Sequence, residues 1–430
     1  SLPRKDAVRI EEMINYFDYQ YSVPNNENVP FSISTEMAPS PWNKQQYLLQ
    51  IGLKGYDIDR AALPAANLVF LIDVSGSMTS ANKLPLLKSS MKLLTKKLRA
   101  KDKISIVVYA GSSGVVLNPT AGNQKAQIIA SLDRLQAGGS TNGAAGIRLA
   151  YNLAQQVFVK NGINRIILAT DGDFNVGTTN FEALKDLIEE KRKTGITLTT
   201  LGFGSGNYND HLMEQLADKG NGNYAYIDTL NEARKVLVEE MSSTLKTIAK
   251  DVKIQIEFNP KAVAEYRLIG YENRALKRED FNNDKVDAGD IGAGHTVTAL
   301  YEVSLAENQS QRIDPLRYAN KPIIPEHKVN EIAFLKLRYK QPNANKSKLI
   351  SQVISRKDIQ NNIANASDNL RFSASVAAFG QLLRGSKYTE QFSYKDILDL
   401  ARQSRGQDFS GYRGEFISLV NLAESLSGNN

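Results

Sequence analysis

An unbroken apolar run, Leu68-Val69-Phe70-Leu71-Ile72, passes without a linker into Asp73-Val-Ser75-Gly-Ser77. A run with no polar alternation reads as a strand buried on both faces, and such strands occur where helices cover both sides of a parallel sheet. The chain therefore leaves a buried strand and at once presents a carboxylate and two hydroxyls, with Gly76 allowing a tight turn. A helical pattern follows over 82–99, with Leu84, Leu87, Met91, Leu94 and Leu98 on one face. From about 65 to 248 strand and helix signals alternate. The strands are Asn67–Asp73, Ile104–Ala110, a short edge piece near Val115–Leu117, Arg165–Thr170, Thr197–Phe203 and Tyr224–Ile227. Helices are expected over Gln124–Leu135, Gly143–Val159, Phe181–Lys193, Asp210–Asp218 and Glu232–Ile248. This order predicts a doubly wound, mostly parallel sheet of Rossmann-like type.

The flanks read differently. Asp6 to Phe17 is predicted as a short helix, and two half-buried strands follow around Phe31-Ser32-Ile33 and around Leu49, Ile51 and Leu53. From Asp251 the period returns to two: Val252, Ile254, Ile256 and Phe258, then Val297 to Val303, then Ala333 to Tyr339. A turn-rich stretch at Asp287–Gly294 lies between them. After Gln341-Pro342-Asn343 the pattern turns helical to the end, with Ser367 as an N-cap and Gly385 as the stop of one helix. The expected division is a helical leader (1–28), a first part of an antiparallel β-sandwich (29–64), the α/β domain (65–248), a second part of the sandwich (249–342) and a C-terminal helical region (343–430). The segments before 65 and after 250 should pair into one sandwich in which the α/β domain is inserted, because the leading strands are too few to be stable alone.

Composition narrows the chemistry. At 430 residues, with 42% hydrophobic and 23% charged residues, the chain is globular and multi-domain. Cysteine is absent, which excludes disulfides, thiolate metal sites and a cysteine nucleophile. The three histidines, His211, His295 and His327, lie in unrelated contexts and do not suggest a zinc site. No apolar stretch is long enough to span a bilayer. A lipid anchor upstream of Ser1 fits an exported protein. The net charge of +7 owes much to Lys83, Lys88, Lys92, Lys96, Lys97, Arg99, Lys101 and Lys103, read as the solvated face of an amphipathic helix and not as a nucleic-acid surface. Trp42 beside Pro41 is expected as a packing anchor, and Tyr16, Tyr19 and Tyr21 as core residues of the sandwich.

Open α/β sheets bind ligands beyond the carboxyl ends of their strands, where strand order reverses. Asp73 ends the first strand of the domain. Asp171-Gly172-Asp173 ends the strand Arg165–Thr170, and Gly138-Gly-Ser-Thr-Asn-Gly143 leads into a helix. In strand order 3-2-1-4-5-6 all three meet at one place. Oxygen-only ligands suit a hard divalent cation. The set Asp73-x-Ser75-x-Ser77, Thr141 and Asp171 of Thr-Asp-Gly resembles the metal-ion-dependent adhesion site of von Willebrand factor A domains. Glu11–Phe17, Pro41-Trp42-Asn43, Leu268–Arg274, Gly292–Tyr301 and Gly411–Phe416 resemble a bacterial family that carries such a domain between characteristic leader and C-terminal regions, many of its members being envelope lipoproteins. The resemblance covers nearly the whole chain. It implies Mg2+, or Mn2+ or Ca2+, at Asp73, Ser75, Ser77, Thr141 and Asp171, an envelope location (periplasm or outer membrane), and no enzymatic activity.

The charge count suggests how such a site works. Two carboxylates balance a divalent ion, five candidate side chains leave a position of a six-coordinate ion open, and an Asp or Glu of a partner protein could complete it. Two other classes compete: an assembly component whose metal only stiffens the fold, and a hydrolase that activates water on the metal. Enzyme motifs are weak. Ser75 stands where a haloacid-dehalogenase-like phosphotransferase needs a second Asp. There is no phosphate-binding Gly-x4-Gly-Lys, and Gly202-Phe-Gly204-Ser-Gly206 follows a late strand instead of the first. Ser75 as a nucleophile lacks an evident base.

Overall fold

The computed structural model describes residues 2–24, 28–59, 61–139, 143–172, 181–204, 210–240, 246–270, 289–307, 328, 330–389 and 391–427. Two compact units divide the chain, one built from 1–57 and 247–430, the other from 58–246.

The inserted unit has a six-stranded sheet. In chain order its strands are β3 (Ala66–Asp73), β4 (Lys103–Tyr109), β5 (Ser113–Ala121), β6 (Ile163–Thr170), β7 (Ile196–Phe203) and β8 (Tyr224–Ile227). The spatial order is β5-β4-β3-β6-β7-β8. Every pair is parallel except β4 with β5, an antiparallel edge. Every residue of β3 is buried, and alternate side chains serve opposite faces. Leu68, Phe70 and Ile72 join Leu84, Leu87, Met91 and Leu94 of α2 (Leu84–Lys97) and Ile128 and Leu132 of α3 (Lys125–Asp133). Val69 and Leu71 join Ile147, Ala150 and Ala154 of α4 (Gly143–Gln156), Ile188 of α5 (Phe181–Arg192) and Met213 of α6 (Asp210–Lys219). Each of these β3 side chains contributes roughly 1.5–3 kcal/mol by burial, so β3 is the spine on which both helical layers are assembled.

The other unit is a sandwich with a helical layer. One sheet has the order β1-β2-β12-β10, formed by β1 (Phe31–Pro39), β2 (Tyr47–Gly55), β10 (Val263–Leu268) and β12 (Thr296–Leu305). The second has the order β11-β9-β13-β14, formed by β9 (Thr247–Phe258), β11 (Gly289–Gly292), β13 (Glu331–Lys340) and β14 (Ser347–Ser355). Strands from both ends of the chain thus share a sheet: β2 pairs with β12 from Lys54↔Thr296 to Tyr47↔Val303. Met37, Leu49 and Ile51 of the first sheet meet Phe258, Leu335 and Ile354 of the second. On the first sheet's other face, Leu48 and Leu300 meet α1 (Ile10–Asn15) and the C-terminal helices α8 (Asp368–Arg384), α9 (Tyr394–Gln403) and α10 (Tyr412–Ser427).

The flanking motifs read from the sequence are pieces of this core. The Asn15 side chain bonds both backbone groups of Thr298, and the Tyr21 hydroxyl pairs with the Thr298 hydroxyl. Buried Glu302 accepts from Trp42 Nε1 at 2.9 Å and from Arg267 at 2.8 Å. Trp42 is the expected anchor, and Tyr19 and Tyr21 are buried in the same cluster. Ser367 caps α8 by accepting from Leu370 N, and Gly385 ends it at φ 68°.

Four expectations are corrected. Of the predicted helix Glu232–Ile248, the described part is the end of α7 (Leu230–Arg234) and a π-turn (Lys235–Glu239), 241–245 lie outside the described residues, and by Thr247 the chain is in β9, where pairing with β11 outweighs a helical apolar period. The C-terminal region is not helical from 343. Leu349, Ile350, Val353 and Ile354 mimic helix spacing, yet β14 pairs along the whole of β13. The leader breaks into a 3-10 turn (Lys5–Ala7) and α1 because Arg9 is extended, at φ −104° and ψ 100°. The turn-rich Asp287–Gly294 stretch contains β11, with 287–288 outside the described residues.

At the start of β3, Asp102 holds the entry to the inserted unit. It accepts from Ala66 N at 3.1 Å, Arg99 N at 2.8 Å and the Arg99 guanidinium at 2.6 Å, while Arg99 also donates to the carbonyls of Leu63 and Pro64. Burial alone would raise the Asp102 pKa, but the Arg99 hydrogen bonds, with the Ala66 amide, overcome it and hold the carboxyl below its ordinary range. Its stabilisation is therefore complete above the ordinary carboxylate pKa and is lost as pH falls through the lowered one. Asp102→Ala should cost about 3 kcal/mol at neutral pH, since it takes the carboxylate from the Arg99 guanidinium and the acceptor from two backbone amides, Ala66 and Arg99. Urea unfolding of the wild type and the variant should show that gap, and it should close in acid.

Candidate metal centre

Four of the five residues read as ligands are described, and they gather at the carboxyl ends of β3 and β6, the neighbouring strands at the switch point. Thr141, with Ser140 beside it, lies outside the described residues, as does Asp173. Asp73, the last residue of β3, is fully buried. Its Oδ1 accepts from Ser75 N at 2.9 Å, and its Oδ2 accepts from Thr170 Oγ1 at 3.0 Å and Tyr109 OH at 3.3 Å. Desolvation raises the Asp73 pKa; the Ser75 and Thr170 hydrogen bonds act against it, and the nearby Asp171 carboxylate adds to it. Burial likewise lifts the Tyr109 phenol well above its usual range, so it stays protonated and donates.

The Asp-x-Ser-x-Ser turn is compact. Ser75 is buried, Ser77 is exposed, and their hydroxyls stand 3.0 Å apart. Backbone bonds fix the turn against the segment that leads to Thr141: Gly138 N donates to Val74 O at 2.7 Å and Gly76 N to Gly139 O at 3.1 Å. Gly139 makes this crossing at φ 88°, a conformation that favours glycine. Thr141 follows two residues later in the sequence, outside the described residues.

Asp171, its side chain 2% exposed, receives the Lys83 ammonium on Oδ2 at 2.7 Å, and the same ammonium donates to Ser77 O at 3.0 Å. One cation thus ties the β6 carboxylate to the turn after β3. The donor set fits a divalent cation: two buried carboxylates, two adjacent hydroxyls, and no nitrogen or sulfur ligand. Among the described residues no group of three or more His, Cys, Asp or Glu side chains is placed to hold a metal, so hydroxyls are needed to complete this site.

Comparison with known proteins places the domain in a family. A profile described as von Willebrand factor type A domain matches residues 67–240, one described as von Willebrand factor matches 1–50, and one described as "Uncharacterized protein YfbK, C-terminal" matches 243–426. The chain is 49% identical to the protein YfbK of Escherichia coli (strain K12) over 433 residues, covering 99% of this chain and 74% of that one. The chain belongs to the YfbK family of von Willebrand factor A-domain proteins. Protein sll0103 of Synechocystis is 28% identical over 52% of this chain and 52% of its own. Inter-alpha-trypsin inhibitor heavy chain H3 of Pongo abelii is 24% identical over 56% of this chain and 29% of its own. Among solved structures, a von Willebrand factor type A protein from Catenulispora acidiphila is 14% identical, covering 90% of this chain and 89% of that one with a TM-score of 0.43.

Three residues of this site are not legible in the sequence. Thr170 and Tyr109 end strands adjacent to β3, and strand-end position was their only signal. Lys83 departs from the solvated helix face expected for it: it stands at the N-terminal boundary of α2 and points to Asp171. Lys88 also turns inward, donating to Asp133 O and Leu135 O, whereas Lys96 and Lys97 are exposed as expected.

Helix α4 packs closely on Tyr109 and Leu71 through Gly146. A Cβ on Gly146 would fall 2.9 Å from Tyr109 Cβ and 3.0 Å from Leu71 Cδ1. Gly146→Val should therefore destabilise the protein by about 1–3 kcal/mol through overpacking, outweighing a gain in helix propensity of about 0.4 kcal/mol. Urea unfolding checks the sign: an unchanged or raised midpoint would show that α4 has room to spare.

Proposed function

We propose that the von Willebrand factor A domain of this chain is a metal-dependent protein-binding module. Asp73, Ser75, Ser77, Thr141 and Asp171 would hold Mg2+ or Mn2+, and an Asp or Glu of a partner protein would complete the coordination. A divalent ion held there supplies positive charge for an incoming carboxylate. The observation that carries the reading is the convergence of buried Asp73 and Asp171 at adjacent strand ends, beside the paired hydroxyls of Ser75 and Ser77. Membership of the A-domain family supports a binding role, since these domains commonly mediate protein–protein interaction. The flanking motifs support an envelope location. Among the described residues no helix is long and apolar enough to cross a membrane, and an upstream lipid anchor would serve instead.

One observation favours a second reading. Lys83 already pairs with Asp171, which suits a site closed by its own lysine that only stiffens the fold. Calorimetry separates the two. Mg2+ or Mn2+ should bind the wild-type chain at one site, and Asp171→Ala should lower the affinity at least tenfold, by about 1.4 kcal/mol or more. Equal affinities in the two proteins would remove Asp171 from the ligand set. Capture of a partner from envelope extracts should be lost in EDTA and restored by Mg2+; capture that survives EDTA would rule out a metal bridge.

A further inference from the structure

Lys83 is held more deliberately than a surface ion pair requires. It is the residue before α2, at φ −118° and ψ −112°, so its side chain leaves the helix axis at the boundary. Its stem crosses the end of β7 against Gly204, which has φ 91°. A Cβ on Gly204 would stand 2.5 Å from Lys83 Cε and 2.9 Å from Cγ, so only glycine leaves this path open. The ammonium then bonds Asp171 Oδ2 at 2.7 Å and Ser77 O at 3.0 Å, with the lysine side chain 18% exposed and that of Asp171 2% exposed. A buried carboxylate without a counter-charge is costly, and a partly buried pair with good geometry is screened far less than one on the surface.

Resting on the metal-binding reading above, we propose that Lys83 is a tethered cation that neutralises Asp171 in the metal-free protein and must yield it when a divalent ion binds. The site is then an ion exchanger. The two carboxylates carry one more negative charge than the lysine balances, and a divalent ion, with the displaced ammonium still tethered beside it, reverses that sign. Metal binding thereby changes the site from one that repels an acidic partner to one that attracts it. Because the ion competes with a group of fixed, high local concentration, occupancy follows the free ion concentration over a higher range than the ligand set alone would give. The lysine sets the threshold, and Gly204 keeps it in place.

The test compares Mn2+ calorimetry of the full chain as wild type, Lys83→Met and Lys83→Arg. Methionine keeps much of the stem beside Gly204 and removes the charge; arginine keeps the charge. Lys83→Met should bind Mn2+ at least tenfold more tightly than wild type, and Lys83→Arg should stay within about threefold of it. In EDTA, Lys83→Met should melt below wild type, and Mn2+ should raise its melting temperature by the larger amount. This second readout also reports whether the variant is folded. Equal or weaker Mn2+ binding by folded Lys83→Met overturns the exchange while leaving the metal site standing. Heat from Mn2+ with none of the three proteins overturns the metal reading and the exchange with it.

Discussion

The organisation of the inserted unit depends on a carboxylate taken out of water at the end of its central strand. A strand as apolar as β3 is useful only if helices cover both faces, and covering both faces dries the strand end as well. Asp73 therefore needs donors from the protein, and three neighbouring elements supply them: the turn through Ser75, β4 through Tyr109 and β6 through Thr170. Those bonds reduce the cost of burial without cancelling it, since the carboxyl is still pushed upward. A site left in that state favours a cation, and the structure already supplies one in Lys83, paired with the neighbouring Asp171.

The sandwich unit treats its buried charges differently. Glu302 receives Trp42 and Arg267, and Arg267 in turn reaches Gln381 and lies over the Tyr388 ring at 3.8 Å. Here the charges are closed into a packed network that joins the second half of the sandwich to α8. The leader motif around Asn15 and Tyr21 does the same for β12 inside the first sheet, using uncharged groups. These flanking motifs therefore hold a scaffold together, and the chemistry that can change state belongs to the A domain.

Much of this was legible in the sequence where the signal is local. The apolar run 68–72 followed by Asp73, Ser75 and Ser77 fixes strand, turn and donors within a few residues, and the alternation that follows fixes the sheet class. Ser367 and Gly385 are read as caps from residue type and position alone. Roles created by chain-distant meetings were not legible. Lys83 and Gly204 belong to different elements, and only their approach shows that one is threaded past the other. Edge strands were the other blind spot. In β14, Leu349 and Val353 are exposed while Ile354 is buried, so no clean two-residue period survives, and the spacing that remains imitates a helix.

The pairing of β2 with β12 has a consequence for how the chain comes into being. The leading hairpin, with Leu48, Leu49, Ile51 and Leu53 buried only in the finished fold, is synthesised well before Thr296–Leu305 leaves the ribosome. The whole inserted unit is made in the interval, and it can complete its own sheet without help from either flank. Growing chains thus pass through a stage with one finished domain and one exposed apolar strand edge. Protection of that edge during translation becomes a requirement of the architecture, as real as any contact in the mature molecule.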